Sequence, residues 1–60
     1  RGYDAELKRF LLISRGSLEE VKYQLLLSKD LGYITNEKYN EAYLLADEVG
    51  RLLGGMIKRL

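Results

Sequence analysis

The stretch Arg15–Leu25, RGSLEEVKYQL, decides the fold because it lies in the middle of a long stripe of apolar and small residues. Counted outward from Leu18 and Val21, the stripe repeats with alternating gaps of four and three residues. This spacing is typical of a helix that packs lengthwise against a second helix, and we call such a stripe the seam. The first seam comprises Leu7, Leu11, Ser14, Leu18, Val21, Leu25 and Ser28.

The ends of the predicted helices follow from capping residues. Asp4 is a suitable N-cap, since its carboxylate can accept hydrogen bonds from the free amides of a first turn. Gly32 follows the periodic run directly and can adopt the left-handed conformation that ends a helix. Thr35 is the next N-cap. We therefore predict one hairpin domain over residues 1–60, with helices at about 4–31 and 36–60 and a turn at 32–35.

The second predicted helix carries a seam with the same period. In an antiparallel hairpin, the residue numbers of two facing residues have a constant sum. The residue numbers of the seven predicted seam pairs, from Ser28 with Tyr39 to Leu7 with Leu60, each add to 67. Small residues also recur every four positions on this helix, which favours close approach of the helices. The second seam comprises Tyr39, Ala42, Ala46, Val49, Leu53, Met56 and Leu60, and the small residues are Ala42, Ala46, Gly50 and Gly54. The predicted fold class is all-α, a long antiparallel helical hairpin.

Composition excludes several functions. The chain has 60 residues with no cysteine and no histidine, so it offers neither a disulfide nor the common ligands of a transition metal. The longest apolar runs are far shorter than the ~20 residues of a membrane span. The serines have no visible base, and the adjacent acidic pairs at residues 19–20 and 47–48 point to different helix faces. We therefore expect no enzyme activity, no cofactor, no metal, no membrane partner and a cytoplasmic location.

Too many apolar side chains are left over once the seam is paired. A domain of this length has a marginal core of its own, so the surplus predicts a further packing partner. We expect the hairpin to be half of a four-helix bundle, completed by a second copy of the chain or by two helices preceding Arg1. The predicted oligomer interface comprises Phe10, Ile13, Leu27, Tyr43, Leu45, Leu52 and Ile57.

Three short motifs carry a family resemblance: Gly16-Ser17-Leu18, Leu31-Gly32-Tyr33 and Val49-Gly50-Arg51. Their order and spacing closely resemble the second half of the bacterial four-helix-bundle family that includes ribosomal RNA intervening-sequence proteins and the accessory proteins of diversity-generating retroelements. The resemblance covers nearly the whole chain. It implies an α-helical protomer that assembles into a ring-like homo-oligomer, commonly a pentamer, and nucleic-acid binding by some members.

The charges are divided along the hairpin. The end away from the turn, residues 1–18 and 51–60, has seven basic and two acidic residues and a net charge of +5; we call it the open end. The loop end, residues 19–50, has three basic and seven acidic residues and a net charge of −4. Basic residues also recur every seventh position on the first helix. A phosphate backbone is a partner that such an end can neutralise. The predicted RNA- or DNA-binding residues are Lys8, Arg9, Arg15, Lys22, Lys58 and Arg59.

An alternative explains the same charges without nucleic acid. Basic residues near a helix C-terminus complement its dipole, and charges beside a seam often serve solubility and partner choice. Pairs four residues apart, Asp4 with Lys8, Arg15 with Glu19 and Asp47 with Arg51, can also neutralise each other locally. Under this alternative the chain is a purely structural module for protein–protein interaction or oligomerisation.

Overall fold

The structure is a computed structural model that describes residues 2–60. It consists of two α-helices, α1 at Gly2–Asp30 and α2 at Asn36–Arg59, which pack against each other as an antiparallel hairpin. The Cα atoms extend over 47 × 15 × 10 Å, so the hairpin is long and flat. This confirms the predicted all-α hairpin. Over residues 2–60, neither helix is long and apolar enough to cross a membrane.

The turn between the helices is built as its sequence predicts. Gly32 has a φ angle of 82°, and its amide donates to the Lys29 carbonyl at 3.0 Å. The amide of Tyr33 donates to the Ser28 carbonyl at 2.9 Å. These two bonds form a Schellman motif, which satisfies carbonyls that the end of α1 leaves free.

The N-cap of α2 is also as predicted, whereas that of α1 is not. Thr35 has extended backbone angles, and its hydroxyl oxygen accepts from the Lys38 amide at 3.1 Å. Helix α1 already includes Gly2, so Asp4 lies inside its first turn and is not the N-cap. There its negative charge favours the positive end of the helix dipole. Propensity alone rarely fixes a helix terminus to within two residues, which explains the difference.

The predicted seam is correct for most of α1 and shifted on α2. Leu11 and Ala46 are the buried residues of the core, at 4% and 7% exposure. On α2, however, Val49 and Met56 are each 45% exposed, while Gly50 and Ile57 are half-buried; Leu60 is also exposed. The side of α2 that faces α1 therefore follows the small residues Ala42, Ala46 and Gly50 more closely than the predicted seam.

One close contact shows the cause of this shift. A Cβ atom added to Gly50 would lie 3.3 Å from Cδ2 of Leu18, so the Leu18 side chain rests on the bare backbone of Gly50. The sequence pattern paired Leu18 with Val49 instead. Because glycine presents no side chain, the leucine can approach α2 at Gly50 more closely than it could at a valine.

Candidate nucleic-acid interface and helix-helix contacts

The predicted basic residues fall into two structural groups. The first group is exposed, and within residues 2–60 none of its members takes part in an ion pair. These residues belong to the open end: Lys8, Arg9, Arg15, Lys58 and Arg59. Arg9 is also part of an open depression of about 280 Å³ on α1, together with Glu6, Phe10 and Ile13.

The exposed basic residues come from both helices. Helical periodicity puts Lys8 and Arg15 on one side of α1, and it puts Lys58 on the matching side of α2. We call this side of the hairpin the charged face, because the interhelical ion pair between Lys22 and Asp47 also lies there. Arg9 and Arg59 lie further round the outside of their helices. The open end thus presents positive charge over a broad surface.

Lys22 belongs to the second group, whose charges are engaged within the hairpin. Its ammonium lies 3.3 Å from Asp47 on α2 and 3.4 Å from Glu19 on its own helix, and its side chain is only 15% exposed. The ammonium also lies 5.2 Å from the centre of the Tyr43 ring. Its charge is therefore already compensated by two carboxylates and an aromatic face.

The pKa of Lys22 reflects these contacts. Loss of hydration between the helices is the largest single influence and lowers the pKa. The hydrogen bond to Asp47 and the negative charge of Glu19 act in the opposite direction, and together they raise the pKa above its ordinary value of 10.5. The folded chain therefore favours the protonated lysine at this position.

Lys29 is held in a similar way. Its ammonium lies 4.6 Å from the centre of the Tyr39 ring and 4.0 Å from Asp30. The rings of Tyr39 and Tyr43 are themselves neighbours, with centroids 5.8 Å apart. The two tyrosines and two lysines thus cover the helix contact near the loop end. Of the basic residues that recur every seventh position on α1, Lys8 and Arg15 are free of ion pairs over residues 2–60, whereas Lys22 and Lys29 are engaged within the hairpin.

The predicted local ion pairs are partly present. Asp47 pairs with Arg51 as the spacing predicts, and it shares its carboxylate with Lys22. Glu19 pairs with Lys22 and not with Arg15. In the part of the chain that the structure describes, no ion pair joins Asp4 and Lys8. Sequence spacing missed the Lys22 contact because its partner Asp47 is on the other helix, 25 positions away.

The predicted interface residues lie on more than one side of the hairpin. Phe10, Ile13, Leu45 and Leu52 are exposed, each at 57% or more. Leu27 is exposed on the outside of α1. In contrast, the ring of Tyr43 faces Lys22 on the charged face, and Ile57 is half-buried in the hairpin. The predicted seam, which has a different phase on α2, left both residues outside it, and the oligomer contacts predicted for all seven residues stay predictions.

The arrangement offers little for catalysis. Within residues 2–60, no group of three or more acidic side chains is clustered in a way that could hold a metal ion. The depression near Arg9 lies on the surface of a single helix and brings together no nucleophile and base. What the site can do chemically is present fixed positive charge.

Comparison with known proteins gives one match. A family model described as 23S rRNA-intervening sequence protein matches residues 1–55, which confirms the resemblance seen in the sequence motifs. No curated protein and no solved structure matches the chain significantly. The match includes all of α1, the turn and α2 as far as residue 55.

Proposed function

The chain belongs to the 23S rRNA-intervening sequence protein family, and from this premise we propose that it is a non-enzymatic protein that binds RNA or DNA through its open end. The observation that carries the proposal is the set of uncompensated basic side chains there. Lys8, Arg9 and Arg15 on α1 are exposed and outside the ion pairs of residues 2–60, as are Lys58 and Arg59 on α2.

The spacing of these residues suits a phosphate backbone. Lys8 and Arg15 are seven residues apart, which corresponds to about 10.5 Å along a helix. Two phosphates three positions apart on one strand are separated by about 10 Å along a duplex axis. The two side chains can therefore contact one strand at the same time, and Lys58 adds charge on the same face from α2.

The acidic loop end favours an orientation of the hairpin in which the open end faces the nucleic acid. Its net charge of −4 is repelled by a polyanion, while the open end is attracted. Lys22 and Lys29 lie toward this loop end and are already compensated, so we assign them no phosphate contact. The amide side chains of this chain, Gln24, Asn36 and Asn40, all lie in the loop end, so we expect the contacts of the open end to be mainly to phosphates, which carry little sequence information.

Salt dependence is the direct test of this proposal. Five phosphate contacts give a slope of log affinity against log salt of about −4.5 on duplex DNA, or about a 500-fold loss of affinity between 50 and 200 mM salt. Replacing Arg9 or Arg15 by alanine is expected to reduce the slope by about one unit each. Fluorescence anisotropy with labelled single-stranded RNA, duplex RNA and duplex DNA of one sequence measures the slope and identifies the preferred form.

Lys38→Ala provides the matched control. It removes one exposed positive charge from the loop end, where Lys38 pairs with Glu41, so we expect the salt slope to be unchanged. If Lys38→Ala and Arg15→Ala weaken binding equally, the effect is one of net charge alone and the proposed site is wrong. Absence of binding to all three nucleic acids at low salt rejects the proposed function.

A second candidate function is a structural module for oligomerisation. The observation that favours it is the small core, because only Leu11 and Ala46 are buried among the described hydrophobic residues. A folded unit with so little buried apolar surface gains stability by covering more of it. Absence of nucleic-acid binding together with self-association would favour this function over the first.

A further inference from the structure

Arg51 is the basic residue of the open end that, among residues 2–60, is absent from the set of free cations. Its guanidinium pairs with the Asp47 carboxylate one turn earlier on α2. The same carboxylate accepts the Lys22 ammonium from α1, and the two cations contact different oxygens, Lys22 at Oδ1 and Arg51 at Oδ2. Asp47 therefore holds two positive charges with one negative charge.

The two cations on this carboxylate differ in exposure. The side chain of Arg51 is 70% exposed, whereas that of Lys22 is 15% exposed and also contacts Glu19 and the Tyr43 ring. An exposed ion pair contributes little to stability, because water solvates both partners when they separate. When Arg51 leaves, Asp47 keeps Lys22 as its partner, so no charge between the helices loses its compensation. Release of Arg51 thus has little effect on the fold.

Arg51 lies on the charged face beside one of the free cations. Its partner Asp47 is on that face, and helical periodicity turns Arg51 by only about 40° from it. The contact of Leu18 with Gly50 fixes the alignment of the two helices. With these two residues level, Arg51 and Arg15 are offset by two positions, which is about 3 Å along the axis.

Arg51 also lies in line with Lys58 on α2. The two are seven residues apart, about 10.5 Å along the helix, which is the spacing of Lys8 and Arg15 on α1. The charged face of the open end thus has two rows of two cations, one row on each helix. Without Arg51, the row on α2 consists of Lys58 alone.

The surface of α2 between these two cations is open. Gly54 and Gly55 lie between Arg51 and Lys58, and a Cβ atom added to either glycine meets nothing within 4 Å. A phosphate backbone can therefore approach this turn closely, because the two glycines present no side chain.

The acidic residues of the charged face leave this approach open. Glu19 and Asp47 both pair with Lys22, so their charges are compensated within the hairpin. Asp4 lies in the first turn of α1, eleven residues before Arg15, which is about 16 Å away along the axis.

We propose that Arg51 is a further phosphate-binding residue, which exchanges Asp47 for a phosphate when the open end meets RNA or DNA. The inference rests on the proposed nucleic-acid binding and extends it to a side chain that is engaged in the free hairpin. Arg51 contacts Asp47 through one guanidinium nitrogen and one oxygen. A phosphate can accept two parallel hydrogen bonds from the guanidinium, which is the stronger arrangement.

Arg51→Ala tests the added contact. A sixth contact changes the expected slope of log affinity against log salt from about −4.5 to about −5.4 on duplex DNA, and Arg51→Ala is expected to restore about −4.5. Lys38→Ala is the matched control, because Lys38 is likewise an exposed cation paired with a carboxylate of α2, Glu41, and we expect its slope to equal that of the wild type. Fluorescence anisotropy with single-stranded RNA, duplex RNA and duplex DNA measures each slope.

A second pair of variants tests the exchange with Asp47. Asp47→Asn removes the carboxylate that competes with phosphate, and it is expected to raise affinity about threefold more than Glu48→Gln. Glu48→Gln removes the same charge from a residue one turn from Arg51 that takes part in no ion pair within residues 2–60. Most of the threefold difference is expected to disappear when Arg51 is replaced by alanine. Circular dichroism checks that Asp47→Asn is folded, and the Arg51→Ala slope decides the matter if it is not.

Failure of this inference and failure of the proposed function give different results. If Arg51→Ala leaves the salt slope unchanged while Arg9→Ala and Arg15→Ala reduce it, the inference is overturned and the proposed function stands. If Asp47→Asn raises affinity equally with and without Arg51, Asp47 acts through its charge alone and the exchange is overturned. Absence of binding to all three nucleic acids rejects the proposed function and this inference with it.

Discussion

Lys22 shows how contacts between the helices can engage a side chain that the sequence pattern groups with free basic residues. It belongs to the basic repeat with Lys8 and Arg15, yet its ammonium lies between two carboxylates and above a tyrosine. Its aliphatic stem can cover the helix contact while the charge finds partners at the edge. The neighbouring residue Val21, which the pattern assigned to the seam, is 44% exposed, whereas Lys22 lies at the helix contact.

The raised pKa of Lys22 predicts a pH effect on stability. Because folding favours the protonated form, its stabilising contribution is fully present below the unfolded value of about 10.5 and is lost as the pH rises through the folded-state pKa. The stability of the wild type relative to Lys22→Met is therefore expected to fall in that range. Urea denaturation of both proteins across this range measures the difference. A constant difference would contradict the prediction.

Gly32 is the residue on which the turn depends. Its φ of 82° lies in the left-handed region, where residues with a Cβ atom are strained by about 1–2 kcal/mol. Gly32→Ala is expected to lower the free energy of unfolding by about that amount, although a Cβ there meets no atom within 4 Å. Thermal unfolding measures the loss. An unchanged melting temperature would show that the turn tolerates the left-handed alanine.

At the scale of the helix, the small residues of α2 decide which side faces α1. The apolar pattern of α2 supports several neighbouring stripes, because leucine, valine and methionine occur around much of its surface. Close packing against Gly50 selects one of them, and Leu18 then rests on the glycine. As a result of this packing, Leu45 and Leu52 lie on the exposed side of α2.

Glycine substitutions test this account of the helix contact. A Cβ at Gly16 or Gly55 meets nothing within 4 Å, so alanine at either position is expected to stabilise the helix by about 1 kcal/mol. This also shows that Gly16 does not serve a close helix approach within the hairpin. Gly50→Ala is expected to gain less, because its Cβ lies 3.3 Å from Leu18. Chemical denaturation of the three variants compares them, and an equal gain at Gly50 would mean that α2 moves away freely.

At the scale of the whole molecule, sequence patterns predict the architecture better than the surfaces. Gly32 and Thr35 mark the turn, because their conformational and capping preferences are local properties of the chain. The family motifs are also local, and they identify the family correctly. The engaged state of Lys22 and the phase of α2 depend on contacts between helices, which a one-dimensional pattern does not contain.

The hairpin turn also has a consequence for the order of folding. Lys29 and Tyr39 are ten positions apart, Lys22 and Asp47 are 25 apart, and Leu18 and Gly50 are 32 apart. Because each pair formed shortens the loop that the next pair must close, contacts can form successively from the turn outward at a modest entropic cost per step. We therefore expect the open end, which we propose meets the polyanion, to assemble last and to show the fastest amide hydrogen exchange within the helices.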